Sequence, residues 1–374
     1  EVGNWMRAQW FPKAGDKKWR DSVDREVTKT RQSVGVCDVS TLGKIDIKGK
    51  DAAEFLNKIY SNPFAKVPVG RVRYGLMLRE DGICYDDGTT ARLAENHFVM
   101  TTTTANAVLV YRNMEFARQC LFPDLDVHII STTDQWAQFA VAGPNSRAVL
   151  SKIIDNVDMS NDGFPFMACS DVTVCGGTPG RLFRISFSGE LAYEVAVPAR
   201  YGDALIREII SAGEEFDITP YGTEALGVMR IEKGHVTGAE LNGQMTAFNI
   251  NMNNMISTKK DSIGSVLSRR EVMVADDQVR LVGVKTIKKS DSLSSGAHFL
   301  AENDKPTTQN DQGWITSVCY SPHFEQHIGL GFLERGHERH GEVLRAWDGI
   351  RGTDVLVEIV SSHMYDPEGG LQRG

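Results

Sequence analysis

Lys44-Ile-Asp-Ile-Lys-Gly49 is the stretch on which the reading of this chain turns. Apolar and polar residues alternate through it, the signature of a strand with one buried face. Gly49 ends the strand, and Ala53, Phe55, Leu56 and Ile59 then fall at helical spacing. The unit recurs: Gln138-Phe-Ala-Val-Ala-Gly143 is followed by Val149, Leu150 and Ile153 on one helix face. Ile45, Ile47, Gly49, Phe55, Leu56, Lys58 and Ile59 match Phe139, Val141, Gly143, Val149, Leu150, Lys152 and Ile153 at one constant offset. Two such copies predict two related α+β layers. They do not predict a solenoid, for which three or more repeats are needed.

The neighbouring sequence extends this picture. Apolar periodicity predicts helices over 22–31, 105–118, 145–154, 200–212 and 222–233. Alternation predicts strands over 74–78, 85–93, 97–103, 171–174, 182–186 and 191–197. The stretch 242–260 is low in charge and rich in Asn and Met, and reads as irregular and linker-like, because Asn disfavours helix interiors. From Val279 onward, short strands over 279–284, 314–319, 327–332, 341–346 and 354–360 predict a small β-barrel or sandwich. A chain of 374 residues fits two or three domains. The expected division is 1–275 for the two α+β layers and 276–374 for the barrel.

Lys and Arg number 41 against 49 Asp and Glu, a net charge of −8. That balance argues against a nucleic-acid partner, which requires a basic face. It leaves room for a local basic pocket. No apolar run reaches the roughly 18–20 residues of a membrane span, and the first residues do not read as a signal peptide. The chain starts at Glu1 without an initiator Met, so the expectation is a processed chain or a section of a longer subunit, in the cytoplasm. Six scattered cysteines without a Cys-x-x-Cys pair read as buried free thiols of a reducing compartment. His323, His327, His337 and His340 lack metal-ligand spacing, so no metal is expected.

No dinucleotide fingerprint, P-loop, zinc-protease motif or nucleophile elbow occurs. Three constellations remain. Asp81-Gly82 marks a hairpin turn, and the strand after it carries Asp86 and Asp87, only one of which can face a given side. Thr101-Thr-Thr-Thr104 offers hydroxyls at a strand end. Phe187-Ser-Gly-Glu-Leu-Ala-Tyr-Glu194 puts Glu194 in an apolar strand, where a buried carboxylate requires a partner. Either Glu194 faces water, or it meets a donor: Arg230 within the chain, or a ligand with two parallel N–H groups.

These constellations come in a fixed order with further strings: Gly3-Asn-Trp-Met-Arg-Ala-Gln-Trp-Phe-Pro12, Ser40-Thr-Leu-Gly-Lys-Ile45, Arg73-Tyr-Gly-Leu-Met-Leu-Arg-Glu-Asp-Gly82, Tyr221-Gly-Thr-Glu224, Arg230-Ile-Glu-Lys-Gly234 and Tyr365-Asp-Pro-Glu-Gly369. Together they resemble the glycine-cleavage T-protein (aminomethyltransferase) family, and within it the folate-binding C-terminal part of heterotetrameric sarcosine oxidase α subunits. The resemblance implies a three-domain, cloverleaf-like α+β fold with a C-terminal β-barrel, and tetrahydrofolate as cofactor in a central channel. It implies an enzyme that joins a one-carbon unit, at the oxidation level of formaldehyde, to the folate. The small amine-derived donor is an imine made from sarcosine by flavin-bearing oxidase subunits, the expected partners.

By the same resemblance Asp87 is the catalytic carboxylate, and Tyr74, Thr103, Phe187, Glu194 and Arg230 are cofactor-binding residues. Phe187 stands where many members carry Tyr. A larger departure follows Gly234, where the family's Pro and Trp are missing from 237–260, a wall of the pocket in relatives. Two other readings stay open: a free-standing transferase passing a methyl group to tetrahydrofolate, and a non-catalytic module that binds folate or partner subunits.

Overall fold

The computed structural model describes residues 5–374; Gly3 and Asn4, which open the first resemblance string, lie outside them. The chain builds an α+β fold of two open sheets and a closed barrel. The first copy of the repeat supplies the strand Gly43–Lys48 of a five-stranded antiparallel sheet, in the order Arg71–Leu78, Cys84–Ala94, His97–Thr102, Gly43–Lys48, His128–Ser131. The second supplies Trp136–Ala142, which lies between Gly35–Asp38 and Ala192–Pro198 in a six-stranded sheet.

The repeat extends to the backbone. Gly49 and Gly143 both hold positive φ, 136° and 120°. A Cβ at the first would collide with the Asp126 carbonyl, and at the second with the carbonyls of Thr30 and Ser33. Each glycine therefore lets a strand turn into a helix against a neighbouring main chain, which no L side chain permits. The copies differ afterwards. The first helix, Ala52–Ile59, has the expected length; the second, Ser146–Leu150, stops short of the expected 145–154. Ser151 donates its hydroxyl back to the Arg147 carbonyl at 2.8 Å, and Ile154 leaves to bridge Val174.

The barrel closes through Val279–Thr286, Gln326–Glu334, Gly313–Ser321, His298–Leu300, Val343–Asp348 and Thr353–Val360. Only the short strand at 298–300 escaped the sequence. The cysteines need a correction too: Cys37, Cys84, Cys169 and Cys319 are buried, but Cys120 and Cys175 are exposed free thiols.

The stretch 242–260 is irregular, as read, but it is not a linker: residues 245–247, 249 and 250 are buried, with Ala247 and Ile250 almost inaccessible. Its asparagines replace the missing ladder. Asn249 donates to the Val279 carbonyl and Asn251 to the Leu281 carbonyl, both at 2.8 Å. On its other side Cys84 N–H reaches Met245 O at 2.9 Å. The segment is a strap between the five-stranded sheet and the barrel. Asparagine suits it because its amide can satisfy main-chain groups that lie outside a helix or ladder.

All three sheets meet at one apolar cluster. Leu76, Leu78 and Cys84 enter from the five-stranded sheet, Cys37 from the six-stranded one, and Leu281, Ile328, Leu330 and Phe332 from the barrel. Val228 and Met229 of the helix Thr223–Lys233 fill the middle.

Beside this cluster, Arg31 of the helix Trp19–Gln32 is buried against two carboxylates. Its Nη1 lies 2.7 Å from Glu190, its Nε donates to Glu232 at 2.9 Å, and the Tyr365 ring covers its guanidinium at 3.6 Å. Tyr365 also donates its hydroxyl to Glu190, and Ser321 donates to Glu232. Three of the resemblance strings thus converge on one arginine. Replacing Arg31 by Met is expected to lower unfolding stability by about 3–5 kcal/mol in a urea titration at pH 7, because Glu190 and Glu232 would stay buried without a counter-ion.

Candidate functional site

The hairpin predicted at Asp81-Gly82 joins Arg71–Leu78 to Cys84–Ala94, with Gly82 at φ 91°. Along the second strand Asp87 pairs across from Leu76, and Asp86 from Met77. Paired residues point to the same side, so Asp87 shares the face of Leu76, which turns to the central cluster. On that face the Tyr74 hydroxyl donates to Asp87 at 2.6 Å, and the Met252 sulfur of the strap lies 3.9 Å from the same hydroxyl. Asp87 keeps some solvent exposure although protein surrounds it closely, as on the wall of a narrow recess.

Asp86 points the other way. It accepts the Thr103 N–H at 3.3 Å and the Asn106 amide at 3.1 Å. No cation pairs with either carboxylate among the described residues. Burial therefore dominates both: it pushes Asp87 up to about 6 against the pull of the Tyr74 hydroxyl. Asp86 rises to about 7, through burial and then the charge of Asp87.

The other carboxylate is built by the six-stranded sheet. Glu194 pairs across from Ala140, and Gln138 is the next residue on that face. The Gln138 amide donates to one Glu194 oxygen. The second oxygen has no donor among the described residues. Burial raises the Glu194 carboxyl above its usual range, while Gln138, Lys44 and Arg7 oppose that rise. Lys44 is itself buried, donating to the carbonyls of Ser40 at 2.6 Å and Leu42 at 3.0 Å, and burial lowers it to about 8. Ala140 packs against the same apolar cluster as Leu76 and Met252. The two carboxylates thus approach one centre from opposite sheets.

The remaining predicted residues fall into two groups. Thr103 lies beside Asp86 and holds it through its N–H. Phe187 is partly exposed and stacks at 5.3 Å on His235, whose Nδ1 sits 3.0 Å from the Phe187 carbonyl. Arg230 is not the partner of Glu194. Its guanidinium is taken by Glu240 at 3.0 Å and Ser317 at 2.8 Å, so it ties the helix Thr223–Lys233 to the barrel. Glu240, in the stretch that departs from the family, is wholly buried and also receives the Ser317 hydroxyl. With the His235 carbonyl at 3.3 Å, these contacts engage three of the five Arg230 N–H groups.

Sequence reasoning missed Gln138, Lys44, Asn106 and Met252. Gln138 was legible as a polar residue on the strand face that Glu194 shares. Met252 was not, because nothing local indicates that an irregular segment returns to a strand far away in sequence.

An empty Glu194 oxygen and two uncompensated carboxylates facing one centre match a ligand rich in N–H groups, as the amino-pyrimidine edge and ring amines of tetrahydrofolate are. The residues present fit that cofactor.

The raised carboxyls also set a pH dependence. Their folded values lie above the ordinary Asp value of 3.8, so the folded chain binds more protons than the unfolded one between about pH 4 and 7. Their contribution to stability is full at the acid end and falls as pH rises. Asp86→Asn should remove part of that fall: relative to the parent, its urea midpoint rises more at pH 8 than at pH 5, by the equivalent of roughly 1–3 kcal/mol.

Comparison with known proteins identifies the family. The family model of the GCVT N-terminal domain matches residues 1–260, and that of the glycine cleavage T-protein C-terminal barrel domain matches 280–366. The sarcosine oxidase subunit alpha of Rhizobium meliloti is 50% identical over 98% of the chain, and that of Corynebacterium sp. strain P-1 is 42% identical over all of it. The chain spans only 37% and 39% of those two proteins. An aminomethyltransferase of Geobacillus sp. is 28% identical over 92% of the chain and 90% of its own length. The crystal structure of the glycine cleavage system aminomethyltransferase T from Bartonella henselae superposes with a TM-score of 0.81 at 20% identity, covering 96% of this chain and 95% of that one, which shows the shared fold. Fold and sequence together establish that the chain belongs to the glycine-cleavage T-protein family of tetrahydrofolate-dependent enzymes.

Proposed function

We propose that this chain binds tetrahydrofolate between Asp87 and Glu194 and there forms 5,10-methylenetetrahydrofolate from an imine that flavin-bearing partner subunits make from sarcosine, the imine carbon passing to the two folate nitrogens as its C–N bond breaks and glycine leaves with their two hydrogens. In this reading residues 1–275 hold the folate and 276–374 form the supporting barrel. The observation that carries it is that Asp87 and Glu194, each with unfilled acceptor capacity, lie on sheet faces that pack against one apolar cluster. The identity to sarcosine oxidase α subunits favours the sarcosine-derived donor.

When bound, tetrahydrofolate supplies the two amine nitrogens that receive the one-carbon unit. The chain's own residues do the rest. Glu194 accepts a pair of N–H groups, with Gln138 fixing its carboxylate in the sheet. Tyr74 orients Asp87. With its carboxyl near 6, Asp87 is mostly ionised at neutral pH and close enough to its midpoint to take up a proton and return it. As an anion it stabilises positive charge developing on the one-carbon unit. Met252, Leu76 and the central apolar cluster limit the access of water to a hydrolysable imine. Thr103 and Asn106 hold Asp86 behind the strand, so that the wall bearing Asp87 stays fixed.

Two variants test the roles in the assembled oxidase supplied with sarcosine. Asp87→Ala should bind tetrahydrofolate within a few-fold of the parent and form the methylene product about 100–10,000 times more slowly in single-turnover assays. Glu194→Gln should instead lose affinity, on the order of 10–100-fold by calorimetry. Unchanged product formation by Asp87→Ala sinks the assignment.

A further inference from the structure

The arm of the chain before the first helix carries a cation that the proposed reaction leaves unused. Residues 5–12 form no helix, yet the arm is fastened at both ends. Trp5 donates its indole N–H to Asp134 at 3.1 Å, just ahead of the strand Trp136–Ala142. Further on, the Ala8 and Gln9 carbonyls accept the first N–H groups of the helix Thr223–Lys233, from Thr223 at 3.0 Å and from Glu224 at 3.1 Å. The Phe11 N–H then meets Glu26 at 2.6 Å. Arg7 lies between these fastenings.

Its guanidinium reaches the six-stranded sheet. Nη2 donates to the Asp38 carbonyl at 3.3 Å and lies 3.9 Å from the Cys37 sulfur. Nε is shut off from solvent and has no partner. No carboxylate pairs with Arg7 among the described residues. Cys37 and Glu194 both pair across from Ala140, from the strands on either side of it. Paired residues share a face. The cation beside Cys37 and the Glu194 carboxylate therefore stand on one sheet face, and Ala140 is the one residue between them in that row. The Arg7 charge is felt at Glu194, where it opposes the upward push of burial, without ion-pair contact. Lys44, the other cation that Glu194 feels, spends its ammonium on the Ser40 and Leu42 carbonyls.

An acceptor and a donor fixed on one face, with a small side chain between them, match a ligand edge that presents donors and then an acceptor. An amino-pyrimidinone edge has that order: an amine, a ring N–H and a carbonyl oxygen in line. Once Glu194 takes the two N–H groups, the adjoining carbonyl oxygen requires a donor, because a buried polar atom left unpaired is costly. The guanidinium has five N–H groups, and Nε at least is unspent.

We propose that Arg7 is a specificity-determining residue of the site, donating to the ring carbonyl oxygen next to the N–H pair that Glu194 accepts. The proposal rests on the folate reading given above. It makes the site discriminate between a 4-oxo pteridine and its 4-amino analogue, in which an NH2 group would face the guanidinium donor to donor.

Calorimetry with the assembled oxidase, under nitrogen, tests this with tetrahydrofolate and its 4-amino analogue against the parent, Arg7→Met and Arg7→Lys. The parent should prefer tetrahydrofolate. Arg7→Met should weaken tetrahydrofolate about 10–100-fold and leave the 4-amino analogue within about threefold, so that the preference shrinks by the difference. Arg7→Lys keeps the charge and loses the fork; it should fall between the two and serves if the Met variant does not fold. A merely structural arm would weaken both ligands alike, so equal losses, or none, overturn the proposal. So does an effect confined to sarcosine turnover with folate binding unchanged, which would mark a cation for the carboxylate of the one-carbon donor. A parent that binds neither ligand overturns the folate reading and this proposal with it, whereas a parent that binds tetrahydrofolate with a preference independent of Arg7 overturns the role of Arg7 alone.

Discussion

The architecture depends on one buried cation. Arg31 is the only positive charge that Glu190 and Glu232 contact within ion-pair distance among the described residues, and those carboxylates come from different parts of the chain. Glu190 sits in the turn leading into the strand that bears Glu194. Glu232 sits on the helix that fills the central cluster, and Ser321 and Tyr365 join from the barrel and from the chain beyond it. A buried pair of this kind adds little net stability over apolar packing, but breaking it is costly. It acts as a coordinate, setting the distance between the six-stranded sheet, the central helix and the barrel, and hence where Glu194 stands relative to Asp87.

Against that frame the electrostatics of the site are unusual. Several buried carboxylates elsewhere are matched by cations, Asp46 by Arg181 at 2.8 Å and His97 at 2.8 Å and Glu240 by Arg230, while Glu26 is held by the main-chain N–H groups of Phe11 and Gly222. Asp86, Asp87 and Glu194 have hydrogen-bond donors but no cation in contact. Of these three, Asp86 is satisfied by Thr103 and Asn106 behind the strand, while Asp87 and Glu194 each keep unfilled acceptor capacity on the faces turned to the central cluster. This contrast separates the site from the frame more sharply than the net charge of −8, which places acid everywhere.

Much of this was legible in the sequence, for physical reasons. The alternation of 44–48 and the glycines at 49 and 143 are local signals, and local periodicity survives without knowledge of the fold. Glu194 stood out because a charge in an apolar strand demands an explanation. The alternation rule placed Asp86 and Asp87 on opposite faces, though which one faced the centre came only from the resemblance. What escaped was non-local. Arg230 was offered as a partner for Glu194, but Glu240 and Ser317 take it, approaching from segments whose position no periodicity encodes. The strap at 242–260 looked like a linker because its order comes from side-chain amides bonded to a distant main chain, and asparagine content alone does not distinguish that from a flexible loop.

The strap also decides how this fold can be taken apart. Its asparagines bond to Val279 and Leu281 of the first barrel strand, the Leu281 N–H returns to the Asn249 carbonyl at 2.7 Å, and Met252 lies against Tyr74. A seam drawn at 275/276 would leave the wall of the site facing a surface it was not shaped for. Because the strap is bonded to the five-stranded sheet on one side and to the barrel on the other, no single cut on either side of it leaves the site wall intact.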